Sequence, residues 1–244
     1  MGHRYEISDA DWDRIKGHLP GQPGQHGGVA EDNRRFINAV LWVARTGAAW
    51  ADLPGRLGNP NRQWRRFDRW AERGRWDPIL AAVRDPDLDV LILDSIAVRA
   101  HPCAAGAKKK WDGAGGQDDQ ALGRSRGGFG AKTHGSFDGL GHPVELLLTA
   151  ARESDIAQAG ALPADHAPGV VIAGRGYDQK ALVGEVESRG AVAVIPAQKN
   201  RARRREVDPH LYAERNACER FGSQVKRYRR VATRYEKRAA NSLA

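Results

Sequence analysis

The chain has 244 residues, 41% of them hydrophobic, and 39 Lys or Arg against 30 Asp or Glu give it a formal net charge of +9. That length holds one large domain or two small ones with a real core, and that charge favours a polyanionic partner. Two distant cysteines, Cys103 and Cys218, exclude a disulfide framework and a Cys-x-x-Cys zinc site and fit a reducing cytoplasm, while the polar start is no signal peptide and no apolar run reaches membrane-span length.

The first predicted helix opens at Ser8, carries Trp12, Ile15 and Leu19 on one face and closes at Pro20. Residues 21–28 read as a Gly-rich loop. A second helix runs from about Glu31 to Thr46, with Phe36, Val40, Leu41 and Val43 inward and Gly47 as its stop. Past Pro54, Gly55 and Gly58, Asn59-Pro60 opens a third, to about Arg73. Its apolar face is Trp64, Phe67 and Ala71, and Arg62, Arg65, Arg66, Arg69 and Arg73 lie elsewhere on it. Two such helices, the second rich in arginine, suggest a helix-turn-helix-like DNA reader. The alternative is a solvated charged face. A short helix from Pro78 to Val83 and the turn Asp85-Pro86-Asp87 mark a domain boundary, giving a helical unit over 1–86 and a second unit over 87–244.

The second unit is organised around Val90-Leu-Ile-Leu-Asp94. The apolar run reads as a strand buried on both faces and ended by Asp94. A carboxylate at such a strand end stands at the rim where α/β sheets place their chemistry, although an Asp there also caps turns. Residues 101–128 are polar, with Lys108-Lys-Lys110, Asp118 and Asp119, and Gly123-Arg-Ser-Arg-Gly-Gly128. Phe129 follows Gly128 where a phosphate loop needs Lys, so this stretch reads as a flexible basic loop near a nucleic-acid backbone. A hairpin follows, Lys132 to Phe137 and Pro143 to Leu148 around Asp138-Gly-Leu-Gly-His142. Then come a short helix over 153–162, a buried strand Gly169 to Ala173, a helix Gln179 to Ser188 and a strand Ala191 to Ile195. Strands alternating with helices after a hairpin indicate an α/β sheet of mixed direction.

A long helix is predicted over about Leu211 to Arg238, with Cys218, Phe221, Val225 and Tyr228 on its buried face. Lys199 to Arg238 holds fourteen Lys or Arg and five acids, an excess equal to the charge of the whole chain. Glu219 lies beside the buried face, where a carboxylate is a ligand or a salt-bridge partner of Arg215 or Arg220.

Tyr212, Arg215, Glu219 and Lys226, with two, three and six residues between them, resemble the signature of a DDE-type insertion-sequence transposase, of the group with a Tyr-Arg-Glu-Lys motif. Leu93-Asp-Ser95, Arg99-Ala-His101, Gly123 to Gly128, Asp138-Gly-Leu-Gly and Arg229-Arg-Val-Ala-Thr-Arg-Tyr235 resemble it too, and the likeness covers nearly the whole chain. It implies a DUF4096-like helical N-terminus, then a ribonuclease-H-like mixed sheet flanked by helices. It implies an enzyme that binds terminal inverted repeats and cuts and joins DNA strands. Mg²⁺ or Mn²⁺ would be the cofactor, in a two-metal site with acids on the first strand, after the fourth strand and on a late helix. Asp94 and Glu219 would be catalytic and hold metal. Tyr212, Arg215 and Lys226 would contact phosphates, and Arg62, Arg65, Arg66 and Arg69 would contact DNA from the helical unit. Double-stranded DNA, as transposon end and target, would be the partner of a homodimer or higher oligomer, cytoplasmic and nucleoid-associated, with no membrane.

The resemblance also implies an Asp where this chain has Gly174. Asp178 stands four residues on. An extended segment would carry it up to roughly 13 Å away, and a helical turn would leave it within about 6 Å. Two readings follow, a transposase with a weakened site, or a non-catalytic sequence-specific DNA-binding protein derived from one. A third, a basic RNA- or ribosome-associated protein, does not require the Asp94 and Tyr212–Lys226 pattern.

Overall fold

A computed structural model describes residues 5–24, 28–83, 88–106, 116–117, 119–159, 167–202 and 204–244. The expected Asp85-Pro86-Asp87 boundary, Lys108 to Lys110, Asp118 and the end of the helix over 153–162 lie outside the described residues.

Among the described residues four α-helices come first: α1 (Asp9–Ile15), α2 (Asn33–Thr46), α3 (Pro60–Glu72) and α4 (Trp76–Val83). Their starts are set locally. Ser8 accepts from the Asp11 N–H, Asp32 from Arg35 and Asn59 from Arg62, each side chain satisfying a backbone donor that the first turn leaves open. Gly47 ends α2 in the left-handed region at φ 73°, with its N–H on the Val43 carbonyl. The aromatic rings meet at one centre: Phe36 lies edge-on to Trp70 with centroids 4.8 Å apart, and Trp70 to Trp76 at 5.3 Å. Such pairs add about 1 kcal/mol each beyond area burial.

The apolar face of α3 differs from the expected one. Gln63, Phe67 and Trp70 are buried, and Trp64 is 39% exposed. Positions 64, 67, 71 and 63, 67, 70 are both helical stripes. Phe36 and Trp76 decide between them by receiving Trp70. On α2, Phe36 and Val43 are buried as expected, joined by Ile37 and Ala39.

The remaining strands are β1 (Val90–Ala100), β2 (Gly123–Ser125), β3 (Gly128–Phe137), β4 (Pro143–Ala150), β5 (Val170–Ala173), β6 (Val192–Val194) and β7 (Thr233–Arg234). Among the described residues they form one mixed sheet in the order β2-β3-β1-β5-β6, with β4 also on β3 and β7 also on β1. β3 pairs antiparallel along one side of β1, from Ile92 opposite Phe137 to Arg99 opposite Gly130. On the other side β5 pairs in parallel only with Val90 to Leu93, and β7 only with Arg99 and Ala100. Helices α5 (Asp155–Ala159) and α6 (Lys180–Ser188) belong to one face, whose core holds Leu91, Leu93, Val171, Tyr177 and Val183. The other face holds Ile92, Phe137, Ile172, Ala217 and Cys218.

Three expectations are corrected here. Asp94 does not end its strand, because β1 continues to Ala100, held by β3 along its length. Gly123 to Gly128 is no flexible loop. It is a hairpin, with Ser125 opposite Gly128 and Gly128 at φ 106°. The long C-terminal helix is broken into α7 (Pro209–Ala213), α8 (Asn216–Val225), α9 (Arg229–Ala232) and α10 (Ala239–Leu243). Tyr228 turns extended at ψ 99°, so of the expected buried stripe Cys218, Phe221 and Val225 share α8 and Tyr228 lies outside it. β7 breaks the helical path again because Arg234 is drawn inward. Its guanidinium donates to the carbonyls of Ala121 at 2.9 Å and Glu236 at 3.1 Å, and burial lowers its pKa to about 10.

The C-terminal segments reach back to the helices. Arg238 pairs with Asp68 at 2.8 Å and Glu72 at 3.0 Å, Asn241 donates to Asp68, and Arg230 donates to the Ala48 carbonyl. Among the described residues no helix is long and apolar enough to cross a membrane.

Candidate active site

The half-paired side of β1 makes the site. β5 ends at Ala173, opposite Leu93, so Asp94 is the first β1 residue without a β5 neighbour. Strand side chains alternate between faces, so Asp94 shares the side of Ile92 and faces α8. Helix α8 crosses β1 closely at Gly222, where a Cβ would stand 3.3 Å from Ile96 Cδ1. That approach brings Arg215, Cys218 and Glu219 to Asp94.

Arg215 joins the two acids. Its Nη2 donates to both oxygens of Asp94, at 3.0 and 3.1 Å, and its Nη1 to Glu219 Oε1 at 2.6 Å. Residues 125 positions apart in sequence thus hold one guanidinium, with carboxylate oxygens at most about 8 Å apart, the reach of two bonds and one fork. Asp94 is 20% exposed and Glu219 54%. Burial would lower the pKa of Arg215, but the charge of Asp94 and its hydrogen bond outweigh that and raise it. Cys218 Sγ lies 3.4 Å from Asp94 and donates to the Arg215 carbonyl, and burial, then Asp94, pushes its thiol up to about 12.

A cleft of about 440 Å³ opens here, lined by Asp94, Asp155, Gly174, Tyr177, Tyr212 and Arg215, among others. Gly174 has ordinary extended backbone (φ −73°, ψ 171°), and a Cβ on it would rest 3.6 Å from Arg215 Nε. Asp178 is elsewhere. Its side chain is 1% exposed and accepts from the Gln198 N–H at 2.8 Å, Arg201 Nε at 2.9 Å and Arg205 Nη2 at 3.3 Å. Burial would raise its pKa, but these donors together hold it below the ordinary value. With its oxygens spent on that wall, Asp178 does not replace an acid at 174.

Two site residues escaped the sequence reading. Asp155 accepts from Ser95 Oγ at 2.7 Å and Lys132 Nζ at 3.1 Å. Its one signal was an acid opening a helix directly after a strand. Tyr177, in Gly174-Arg-Gly-Tyr-Asp178, gave no signal of its own, and burial, then Asp155 and Asp94, raises its hydroxyl pKa. Of the expected DNA contacts, Tyr212 borders the cleft and Lys226 is exposed on α8's C-terminal end. Arg62, Arg65 and Arg69 are exposed around a separate cleft of about 560 Å³ on the helical part. Arg66 is turned inward. Its guanidinium lies 4.2 Å over Phe36 and 4.8 Å over Trp70, and it donates to Asn33. Burial, then Arg69, lowers its pKa to about 10.

The model of the transposase DDE domain matches residues 85–244. The chain belongs to the DDE transposases of insertion sequences. The model described as a putative transposase of the IS4/5 family matches residues 7–80 of this transposase. An uncharacterized protein, y4sN, of Sinorhizobium fredii is 45% identical over 42% of this chain and 83% of its own length. A putative transposase for insertion sequence element IS6501 of Brucella ovis is 35% identical over 43% of this chain and 83% of its own length. A 16.2 kDa uncharacterized protein of insertion element IS402 of Burkholderia cepacia is 30% identical over 38% and 73%. The mixed sheet flanked by helices is the ribonuclease-H-like fold of such domains.

DDE transposase domains use a divalent metal. Among the described residues the side chains do not complete a two-metal site. One guanidinium engages both Asp94 and Glu219, a glycine stands at 174, and no group of three metal-ligating side chains occurs among the described residues.

Proposed function

We propose that this transposase binds double-stranded DNA, as transposon end and as target, and that its strand-cutting chemistry is held low by its own site. The observation that carries the reading is the chain Asp94–Arg215–Glu219 beside Gly174. Phosphoryl transfer needs carboxylates free to hold positive charge at the reacting oxygens. Here Arg215 occupies both acids, and position 174 carries no third one. Residues 1–86 act as the end-reading unit and residues 87–244 as the catalytic unit. Arg62, Arg65 and Arg69 contact DNA from the first, and Tyr212 and Lys226 from the second, in a homodimer or higher oligomer on DNA. Asp94 and Glu219 are the acids toward which Mg²⁺ or Mn²⁺ would be drawn. The non-catalytic alternative, a DNA-binding derivative, is favoured by the same glycine.

The test is cleavage of end-bearing DNA with Mg²⁺ or Mn²⁺ by the protein as it is, by Gly174→Asp and by Asp94→Ala. Restoring the acid should raise the rate at least about a hundredfold, since positioned charge of this kind is worth several kcal/mol and 1.4 kcal/mol is a tenfold rate. Asp94→Ala should be inert. A full rate for the Gly174 protein, abolished by Asp178→Ala, would overturn the reading.

A further inference from the structure

Two donors of residues that line the cleft beside Gly174 have no partner among the described residues. Arg215 Nε is buried without a partner, although Nη1 and Nη2 of the same guanidinium are both bonded. The hydroxyl of Tyr177, a residue only 2% exposed, is also without a partner. Both residues line the cleft. Buried donors left open in this way are uncommon and costly, the more so on a charged group. The empty space is placed correspondingly. The nearest atom to a Cβ at 174 is Arg215 Nε itself, at 3.6 Å, followed by Cζ and Nη2 at 3.9 Å. These are ordinary contact distances, and a carboxyl carbon beyond that Cβ would bring an oxygen into hydrogen-bond range of Nε.

We propose that this cleft is a binding site for a free short-chain carboxylate of the acetate class, which enters where the side chain of residue 174 is missing and accepts from Arg215 Nε. Acetate has the heavy atoms of an aspartate side chain, so it fills the space without moving the backbone. Charge limits the affinity. Asp94 and Asp155 border the cleft, Arg215 is already shared with Glu219, and Lys132 answers Asp155. Half-saturation in the range of about 1–50 mM is therefore expected, near the weak end of specific binding. The site is a matter of geometry, so it stands or falls separately from whether the protein cuts DNA.

The test is a titration of the ¹⁵N-labelled 244-residue protein with sodium acetate, followed at the backbone amides of Gly174 and Gly176 and at the Arg215 Nε–H. Ionic strength is held constant with chloride, and acetamide serves as the neutral molecule of the same shape. Acetate should give saturable shifts at all three groups, and acetamide a response at least tenfold weaker. Gly174→Asp should lose the response, because its own carboxylate occupies the place. Arg215→Lys, checked for folding by circular dichroism, should lose it too, since it keeps the charge and removes the fork. Shifts that are linear in acetate, equal for acetamide, or unchanged in both variants would overturn the proposal.

Discussion

Asp178 is the carboxylate whose replacement says most about how this wall of the site is built. Asp178→Asn keeps the shape and one acceptor oxygen but removes the charge that Arg201 and Arg205 share. Breaking a buried pair by deleting one partner costs about 3–5 kcal/mol. Arg201 and Arg205 are 37% and 28% exposed, so water relieves part of their loss. The Gln198 N–H can still find the remaining oxygen. About 2–3 kcal/mol is the net expectation, and at roughly 2–4 °C per kcal/mol for a chain of this size the midpoint should fall by about 4–12 °C. The pH dependence has a definite sign. Asp178 has a folded pKa below its unfolded one, so its contribution is fully present above the unfolded value, roughly 3.9, and is lost as pH falls through the folded value. Differential scanning calorimetry at pH 7.5 should show the full gap between the two proteins, and at successively lower pH below about 4 the curves should converge. DNA binding measured well below both midpoints should be unchanged. A variant with native stability at pH 7.5 that has lost DNA cleavage would refute this structural role and return Asp178 to the active site.

On the helical part, Arg62→Glu combined with Arg69→Glu should reduce discrimination between end-bearing and random DNA in competition binding, whereas Lys226→Glu should weaken binding to both alike and lower the salt slope by about one. Equal effects on both sequences from the first variant would remove α3 from end reading. Iodoacetamide at pH 8 should label exposed Cys103 and spare Cys218, whose thiol is buried and pushed up to about 12, as read by peptide mass spectrometry. Arg234→Met should destabilise by about 3 kcal/mol in chemical denaturation, because it strands the carbonyls that the guanidinium now satisfies.

The parts legible in the sequence were those written in local chemistry. The caps at Ser8 and Asn59, the stop at Gly47 and the Asp138 turn each depend on a few neighbouring residues, whereas the Asp32 cap was not read. Asp94 and the Tyr212-to-Lys226 spacing were visible because residue type and spacing carry them. What failed depended on distant partners. The inward turn of Trp70 and Arg66 is decided by Phe36 on another helix. The break at β7 is decided by the free side of β1 at Arg99 and Ala100 and by the distant carbonyls that draw Arg234 inward. The state of Arg215 illustrates the limit most clearly. Its spacing gave its address, but that it is shared between Asp94 and Glu219 could be learned only once strand and helix were brought together.

β1 has a consequence for the order in which this molecule assembles. Its β5 partner lies 80 positions on, Val90 against Val170, and its β7 partner 134 positions on, Arg99 against Thr233. Parallel pairings over such separations close large loops before any contact rewards them, so they form slowly. The β3–β4 hairpin can fold early and dock on β1, while the opposite edge of β1 stays bare until the late segments arrive. Without those late segments Asp94 would stand on an open strand edge of the kind that invites aggregation. The acid pair requires both ends of this domain, since it exists only where Arg215, at the start of α8, lies across Asp94 and Glu219.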